Sequence, residues 1–454
     1  MHSEKFRRQL RQEAQHWRAN GDISESQFQK LSDRYQFDQV DHASRFTLVL
    51  LGLGLSFIGI GVVTFIVANW NGISHLGRSV LLLGLFFGLN GGGLALWKRS
   101  KYQRFGEILL LFGAVALGAN LAQYVTGFAL FLGWGIGCLA IAYGLRLKGL
   151  GILAIALIGI GYWTSWSQIY FSPTGIEMIG LQMPIVSAIL FLPLAYWCRS
   201  RAIFLLSAIA IHSALLSSLA AIVTKASVLP ALLSILPAAL LWSYDDSLWS
   251  SGKSFQPIAR QLAVLFLGGL FFWFSFHWVW NGSLTWYTRI PEWRSLPSVV
   301  LFAGIAIGQW LYMLRNVRSM NFNTIGIGFS IGFSTIVNFW HLRIQPLPIF
   351  APILFNVLLI GLALGSVRTS LSNGKRRAFW FGILLLGLQI VSRLLEYDTT
   401  VLMKSFVCVV CGVSAIVAGL WFESRLRSKM NSMAIARSDY KSEKPPKSPM
   451  SGRI

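Results

Sequence analysis

The feature that leaves this chain fewest choices is a repeat of apolar, charge-free runs of membrane-spanning length, parted by short basic loops. From Phe46 to Ala68 there is no charged residue, and the run ends at Asn69-Trp70-Asn71. A second run closes at Trp97 and meets Lys98-Arg99-Ser100-Lys101. A helix rises about 1.5 Å per residue and the hydrocarbon core of a bilayer is about 30 Å thick, so each arm can cross it. The pair forms a transmembrane hairpin. Repeated to the end of the chain, it predicts an all-α, polytopic transmembrane helix bundle.

About fourteen spans are expected, near 46–69, 78–97, 105–124, 127–146, 149–166, 180–198, 201–223, 226–243, 258–280, 296–314, 324–341, 347–367, 378–395 and 400–422. With the N-terminus inside, the even-numbered loops hold sixteen Lys and Arg residues, among them Lys98, Arg146, Arg199, Arg315 and Arg376. The odd-numbered loops and their margins hold six: Arg78, Lys225, Arg289, Arg294, Arg343 and Arg393. That bias follows the positive-inside rule. It predicts a multi-pass protein of the cell inner membrane with both termini cytoplasmic.

The composition agrees: 54% of residues are hydrophobic and 12% charged, against about 25% charged in globular chains. A net charge of +22 suggests nucleic acid at first sight. The cations, however, sit between apolar runs or in the last 32 residues, while the first 45 hold 8 cations against 7 acids. A membrane protein keeps its cytoplasmic cations in such places, so no nucleic-acid partner is expected. Four cysteines in separate apolar segments give no disulfide framework. The polar start predicts no cleavable signal peptide.

Three regions follow. Residues 1–44 are expected to form a small cytoplasmic helical hairpin. In its first helix Phe6, Leu10, Ala14 and Trp17 share a face, Asn20-Gly21 stops it, and Ser24 with Gln27 makes a capping box for the second. Residues 45–422 are the transmembrane domain. Residues 423–454 read as a basic, disordered cytoplasmic tail able to lie on anionic lipid headgroups. The hairpin is a surface for a protein partner or for self-association.

Polar side chains within spans are costly, so each needs a reason. Asn90 beside Gly91-Gly92-Gly93, with Asn120 and Gln123 in the next span, is a candidate polar cavity. The glycine triplet offers a place for the helix to unwind, as in transporters with broken helices. His212, Gln309, Asn338, Asn356 and Gln389 are expected to make interhelical hydrogen bonds. Gly84, Gly88 and Gly92, and the pairs Gly133/Gly137, Gly328/Gly332 and Gly361/Gly365, read as helix-packing faces. Arg289, Arg294, Arg393, Glu396 and Asp398 are candidate outer-face contacts. Cys408 and Cys411 lack the further ligands of a metal site and read as core thiols. No phosphate-binding loop, metalloprotease or nucleophile-elbow motif occurs. No catalytic residue, metal or cofactor is expected.

The N-terminal half resembles the bacterial predicted-membrane-protein family called domain of unknown function 2157, over about residues 5–165. The likeness rests on WRANGDISESQFQKLSDRY, on VANWN (Val67 to Asn71), on GANLAQY (Gly118 to Tyr124) and on LFLGWGIGCLAIAYGLR ending at Arg146. RLLEYDTTVLMKSFVCVVCG near the end is similar in kind to the last hairpin of such proteins. The resemblance implies a membrane location and hands over no active-site residue. Three functions are compatible: a transport-like or pore-like protein for a small or amphiphilic solute, a non-transporting membrane scaffold or sensor recruiting a partner through its cytoplasmic hairpin and tail, and an enzyme acting on a lipid-linked substrate at the outer face through Trp286, Arg289 and Arg294.

Overall fold

In the computed structural model the described residues are 4–35, 72–171, 175–222, 234–246, 254–281, 293–315, 322–374, 376–397 and 400–442, with isolated positions between 50 and 68. The first expected span therefore lies outside them. The chain divides into two compact units, Met1–Gly84 and Leu85–Ile454. Among the described residues every regular element is helical.

The first unit opens with α1 (Glu4–Ala19) and α2 (Glu25–Tyr35). Gly21 adopts φ +81°, the left-handed conformation that glycine takes without a Cβ penalty, and the chain reverses there. The capping box is made in both directions: Ser24 N–H donates to Gln27 Oε1 at 2.8 Å and Gln27 N–H to Ser24 Oγ at 3.3 Å. Ala14 is buried, and Arg18 reaches across to pair with Glu25 at 2.9 Å while covering the Phe28 ring.

The helix α3 (His75–Trp97) crosses the boundary between units. It runs unbroken through Gly91-Gly92-Gly93, so the expected unwinding there does not occur.

The second unit continues with α4 (Gln103–Leu121), α5 (Gly127–Leu145), α6 (Lys148–Thr164), α7 (Trp166–Phe171), α8 (Glu177–Leu181), α9 (Met183–Trp197) and α10 (Arg201–Ile222). Beyond these come α11 (Leu236–Ser243), α12 (Gln256–Phe274), α13 (His277–Asn281), α14 (Leu296–Arg315), α15 (Phe322–Arg343), α16 (Phe350–Asn373), α17 (Arg376–Glu396) and α18 (Val401–Ser442). Ten described helices are long and apolar enough to cross a membrane: α3, α4, α5, α10, α12 and α14–α18. The helices α6 and α9 are apolar but shorter, at 17 and 15 residues. Part of the expected 226–243 span lies outside the described residues. Among the described residues ten helices are thus candidate spans where about fourteen are expected.

Tight hairpins build the second unit, with α5 on α6, α9 on α10 and α16 on α17. Left-handed residues turn each of them: Arg146 (φ 55°), Arg199 (φ 46°) and Gly374 (φ 65°). Two of the three are arginines, which pins a cation at the water-facing end of a hairpin. Arg146 also lies 4.3 Å above the Trp197 ring, joining two hairpins. The core is apolar and aromatic, with Phe191, Phe204, Phe255, Phe271 and Phe355 fully buried.

Several expectations are corrected. Gly84, Gly88 and Gly92 have no described atom within 4 Å of where a Cβ would stand, and neither do Gly332, Gly361 or Gly365. Close approach is instead made one position round the helix. A Cβ on Gly106 would stand 2.5 Å from the Trp97 nitrogen and 2.6 Å from the Gly93 carbonyl oxygen, so α3 and α4 touch backbone to backbone there. His212 and Asn338 turn back on their own helix, to the Ala208 carbonyl (2.6 Å) and to Ser334 (2.9 Å), whereas Gln309 and Asn356 make the expected interhelical bonds, from Ser243 (2.8 Å) and to the Ser275 carbonyl (3.2 Å). Cys408 is exposed and Cys411 half-buried on α18, so they are not core thiols. Trp280 is buried. Where a disordered tail is expected from Glu423, α18 continues as helix to Ser442. At about 1.5 Å per residue it is longer than a bilayer core is thick and must leave the hydrocarbon.

The contrast between glycines is testable. Gly106→Ala should lower stability by about 1–3 kcal/mol through overpacking against backbone. Gly88→Ala, with open space around it, should be neutral or gain up to about 1 kcal/mol from helix propensity. Thermal unfolding of the purified variants in detergent separates the two.

Candidate functional site

One expected span is broken. Residues 258–280 read as a single helix, but α12 stops at Phe274 and α13 restarts at His277. Ser275 sits at the break inside the aromatic run FFWFSFHWVW. Its hydroxyl donates back to the Phe272 carbonyl at 2.6 Å, a local bond that competes with helix continuation. A break buried in the protein exposes carbonyls and amides that must find partners elsewhere.

Side chains from α16 and α17 meet that demand. Arg393 Nη1 donates to the Ser275 carbonyl at 2.7 Å, and Asn356 Nδ2 donates to the same oxygen at 3.2 Å. Glu396 Oε1 accepts the His277 N–H at 2.6 Å, and Trp280 Nε1 donates to the Phe274 carbonyl at 2.7 Å. Arg393 is also ion-paired to Glu396, with the two side chains 18% and 12% exposed, and its guanidinium lies 4.3 Å above the Phe276 ring. A cation therefore meets the carbonyl end of α12 and a carboxylate meets the amide end of α13, the favourable sense for both helix termini. Beneath lies an aromatic wall of Phe274, Trp280 and Phe355, with ring centroids 5.0–5.7 Å apart. His341 meets the edge of Trp280 and accepts the Leu347 N–H on Nδ1 at 2.9 Å.

One helical turn from Arg393, Gln389 is 4% exposed, and neither of its amide atoms has a partner among the described residues. Arg393 Nε is likewise buried and unpartnered. The break thus carries a neutralised ion pair and, beside it, unmet donors and an acceptor.

The other expected site residues are distributed as follows. Asn90 Nδ2 donates to the Phe86 carbonyl at 2.8 Å, its Oδ1 has no partner, and its amide lies flat on Gly113. Asn120 is buried on α4, seven residues on from Gly113 and so about 10 Å along the helix. Gln123 follows in the turn after α4, both amide atoms buried and unpartnered among the described residues. Arg294 is exposed on the turn before α14, where its main-chain oxygen accepts a bond from Gln182. Arg289, Trp286 and Asp398 lie outside the described residues. Of the outer-face group, the structure brings Arg393 and Glu396 together.

A second carboxylate holds the opposite end of α12. Asp246 Oδ2 accepts the amides of Phe255 (2.9 Å) and Gln256 (3.0 Å) and the Ser254 hydroxyl (2.6 Å), while Oδ1 accepts the Tyr196 hydroxyl. Tyr196 in turn bonds Tyr244. Burial pushes the Asp246 carboxyl up, but hydrogen bonds from Ser254, Tyr196 and the Gln256 and Phe255 amides outweigh it and hold it below the ordinary 3.8. Read from the sequence alone, Asp245-Asp246 has no companion, because its partners are backbone groups nine and ten residues on. Pro257 in the first turn of α12 was the available signal for a helix start there.

Fold and site together define an integral membrane protein of several helical spans. Residues 15–151 match the model of a family described as predicted membrane protein (DUF2157), within the stretch where the sequence resembles it. No curated protein and no solved structure matches the chain. The match ends before the broken span.

Two outcomes follow. Arg393→Ala or Glu396→Gln should each lower stability by about 3–5 kcal/mol by stranding a mostly buried charge. Double substitution to Met should lose less than the sum of the two, read as coupling in a double-mutant cycle of unfolding in detergent. Because Asp246 is depressed in the folded state, its stabilisation is whole above about pH 3.8 and is lost as pH falls through the lower folded value. Asp246→Ala should remove about 1–3 kcal/mol at neutral pH and flatten that acid limb of the pH–stability curve.

Proposed function

We propose that the chain is a transport-like membrane protein for a small, uncharged polar solute, gated at the break between α12 and α13. The observation that carries this is the broken span itself, closed by the Arg393–Glu396 pair beside the unpartnered Gln389 amide. Discontinuous helices lining a polar site are a recurring transporter device. The pair is internally neutral, so an anion entering beside it meets Glu396 and a cation meets Arg393; a neutral hydrogen-bonding group escapes both penalties. Asn90, Asn120 and Gln123 are a second polar corner on the same route. The cation bias of the loops supports both termini on the cytoplasmic face, which puts this gate at the outer end of the bundle.

A scaffold role is favoured by a different observation: none of the apolar window of α18 is buried within the chain. That helix is available to a protein partner, as are the α1–α2 hairpin and the basic tail beyond Arg425, which suits anionic headgroups.

Thiol accessibility distinguishes the two without knowledge of the solute. The four native cysteines are replaced by Ser and Gln389→Cys is introduced. A membrane-impermeant maleimide is then applied to right-side-out and inverted vesicles. Transport predicts labelling from the outer face, accelerated at least about tenfold by Glu396→Gln. No labelling from either face, with or without Glu396→Gln, would leave the scaffold role.

A further inference from the structure

The helices α11, α14 and α15 enclose a groove of about 370 Å³ in the wall of the bundle, a volume within the usual range of about 300–1,000 Å³ for ligand sites. Its floor is stitched shut. Trp310 Nε1 donates to the Ala239 carbonyl at 3.1 Å, and Ser243 donates to Gln309 Oε1 at 2.8 Å, tying α14 to α11. On the α15 side stand Gly328 and Gly332. A Cβ on Gly328 would stand 3.0 Å from the Trp310 ring, and one on Gly332 would meet nothing within 4 Å. Gly328 makes room for the Trp310 ring, and Gly332 leaves the slot beside it open.

The lining states what can fill it. Thr335, the one hydroxyl there, donates to the Ile331 carbonyl of its own helix at 2.8 Å, and the Trp310 N–H is already used. Both side-chain donors of the lining are thus committed within the protein, which sets the groove apart from the gate. Its rim, at Ile307, Leu311 and Leu314, is more than half exposed on spanning helices and so faces lipid tails. Next along α14 from Leu314 comes the exposed Arg315, the last residue of the helix. At the same end of α15, Arg368 stacks 5.1 Å over the Phe322 ring. Guanidinium groups at the end of an apolar slot match the phosphate of an anionic headgroup.

We infer that this groove is a binding site for one acyl chain of an anionic phospholipid, with Arg315 at the headgroup. Lipid supplies the occupant because the slot opens sideways into the bilayer and lacks any hydrogen-bonding specificity.

Native mass spectrometry tests it on the full chain, exchanged from detergent doped with phosphatidylglycerol or with phosphatidylcholine. Wild type should retain one phosphatidylglycerol at least about tenfold in excess of phosphatidylcholine. Gly332→Leu should lower that retention at least about tenfold, and Gly332→Ala, which leaves most of the slot open, should not. Arg315→Gln should retain lipid without preferring phosphatidylglycerol. As a check on folding, added phosphatidylglycerol should raise the melting temperature of wild type and of Gly332→Ala but not that of Gly332→Leu. Equal retention of both lipids by wild type, no retained lipid, or retention unchanged in Gly332→Leu would overturn the site. Preference unchanged in Arg315→Gln would overturn the headgroup assignment.

Discussion

A peptide group in hydrocarbon has no water to turn to, and that single demand organises this protein. Where the backbone is helical the demand is met within the segment. Where it is not, something else must come to it. The break between α12 and α13 leaves the Ser275 carbonyl and the His277 amide without helical partners, and Arg393, Asn356 and Glu396 supply them from two other helices. The discontinuity therefore ties α12, α16 and α17 into one joint. At its other end the same helix is held by Asp246. Both ends of α12 are gripped by carboxylates or by a carboxylate's partner, and the stacked rings of Phe204 and Phe255 fill the space beside the inner grip.

The polar economy of the remaining spans follows the same physics by a cheaper route. Asn90, His212 and Asn338 each bond a carbonyl one turn back in their own helix. Such a bond needs no neighbour and does not specify how helices associate. Specific association comes instead from close backbone contact, as at Gly93 and Gly106, and from a few crossing bonds such as Trp134 Nε1 to the Ala114 carbonyl at 2.7 Å. Against this background Gln389 and Gln123 stand out, since neither amide has either kind of partner among the described residues.

Much of the architecture was legible because it is written in length and periodicity. Apolar run lengths located most of the long helices to within a few residues, and Ser24 with Gln27 gave the capping box atom for atom, because both bonds are local in sequence. The break at Ser275 was not legible. Its cause is a serine in an apolar run, which costs nothing in hydropathy, and its remedy comes from residues about 80 and 118 positions away. The glycine stripe on α3 and the pair on α16 misled for a related reason, while Gly137 does pack, a Cβ there standing 2.5 Å from Leu117. Spacing shows that small residues share a face, but only the neighbour decides whether the face is contact or open groove. Arg393 and Glu396 were singled out as charges at a span end; that they cap a broken helix required the fold.

The central claim is that the break is a satisfied one, held by α17. Hydrogen–deuterium exchange in lipid nanodiscs, resolved to the Ser275–Trp278 segment, addresses it most directly. The account predicts that the His277 amide exchanges as slowly as amides in the middle of α12, and that Glu396→Gln frees it while the rest of α12 stays protected. Rapid exchange at His277 in the wild-type protein, or protection unaffected by Glu396→Gln, would contradict it.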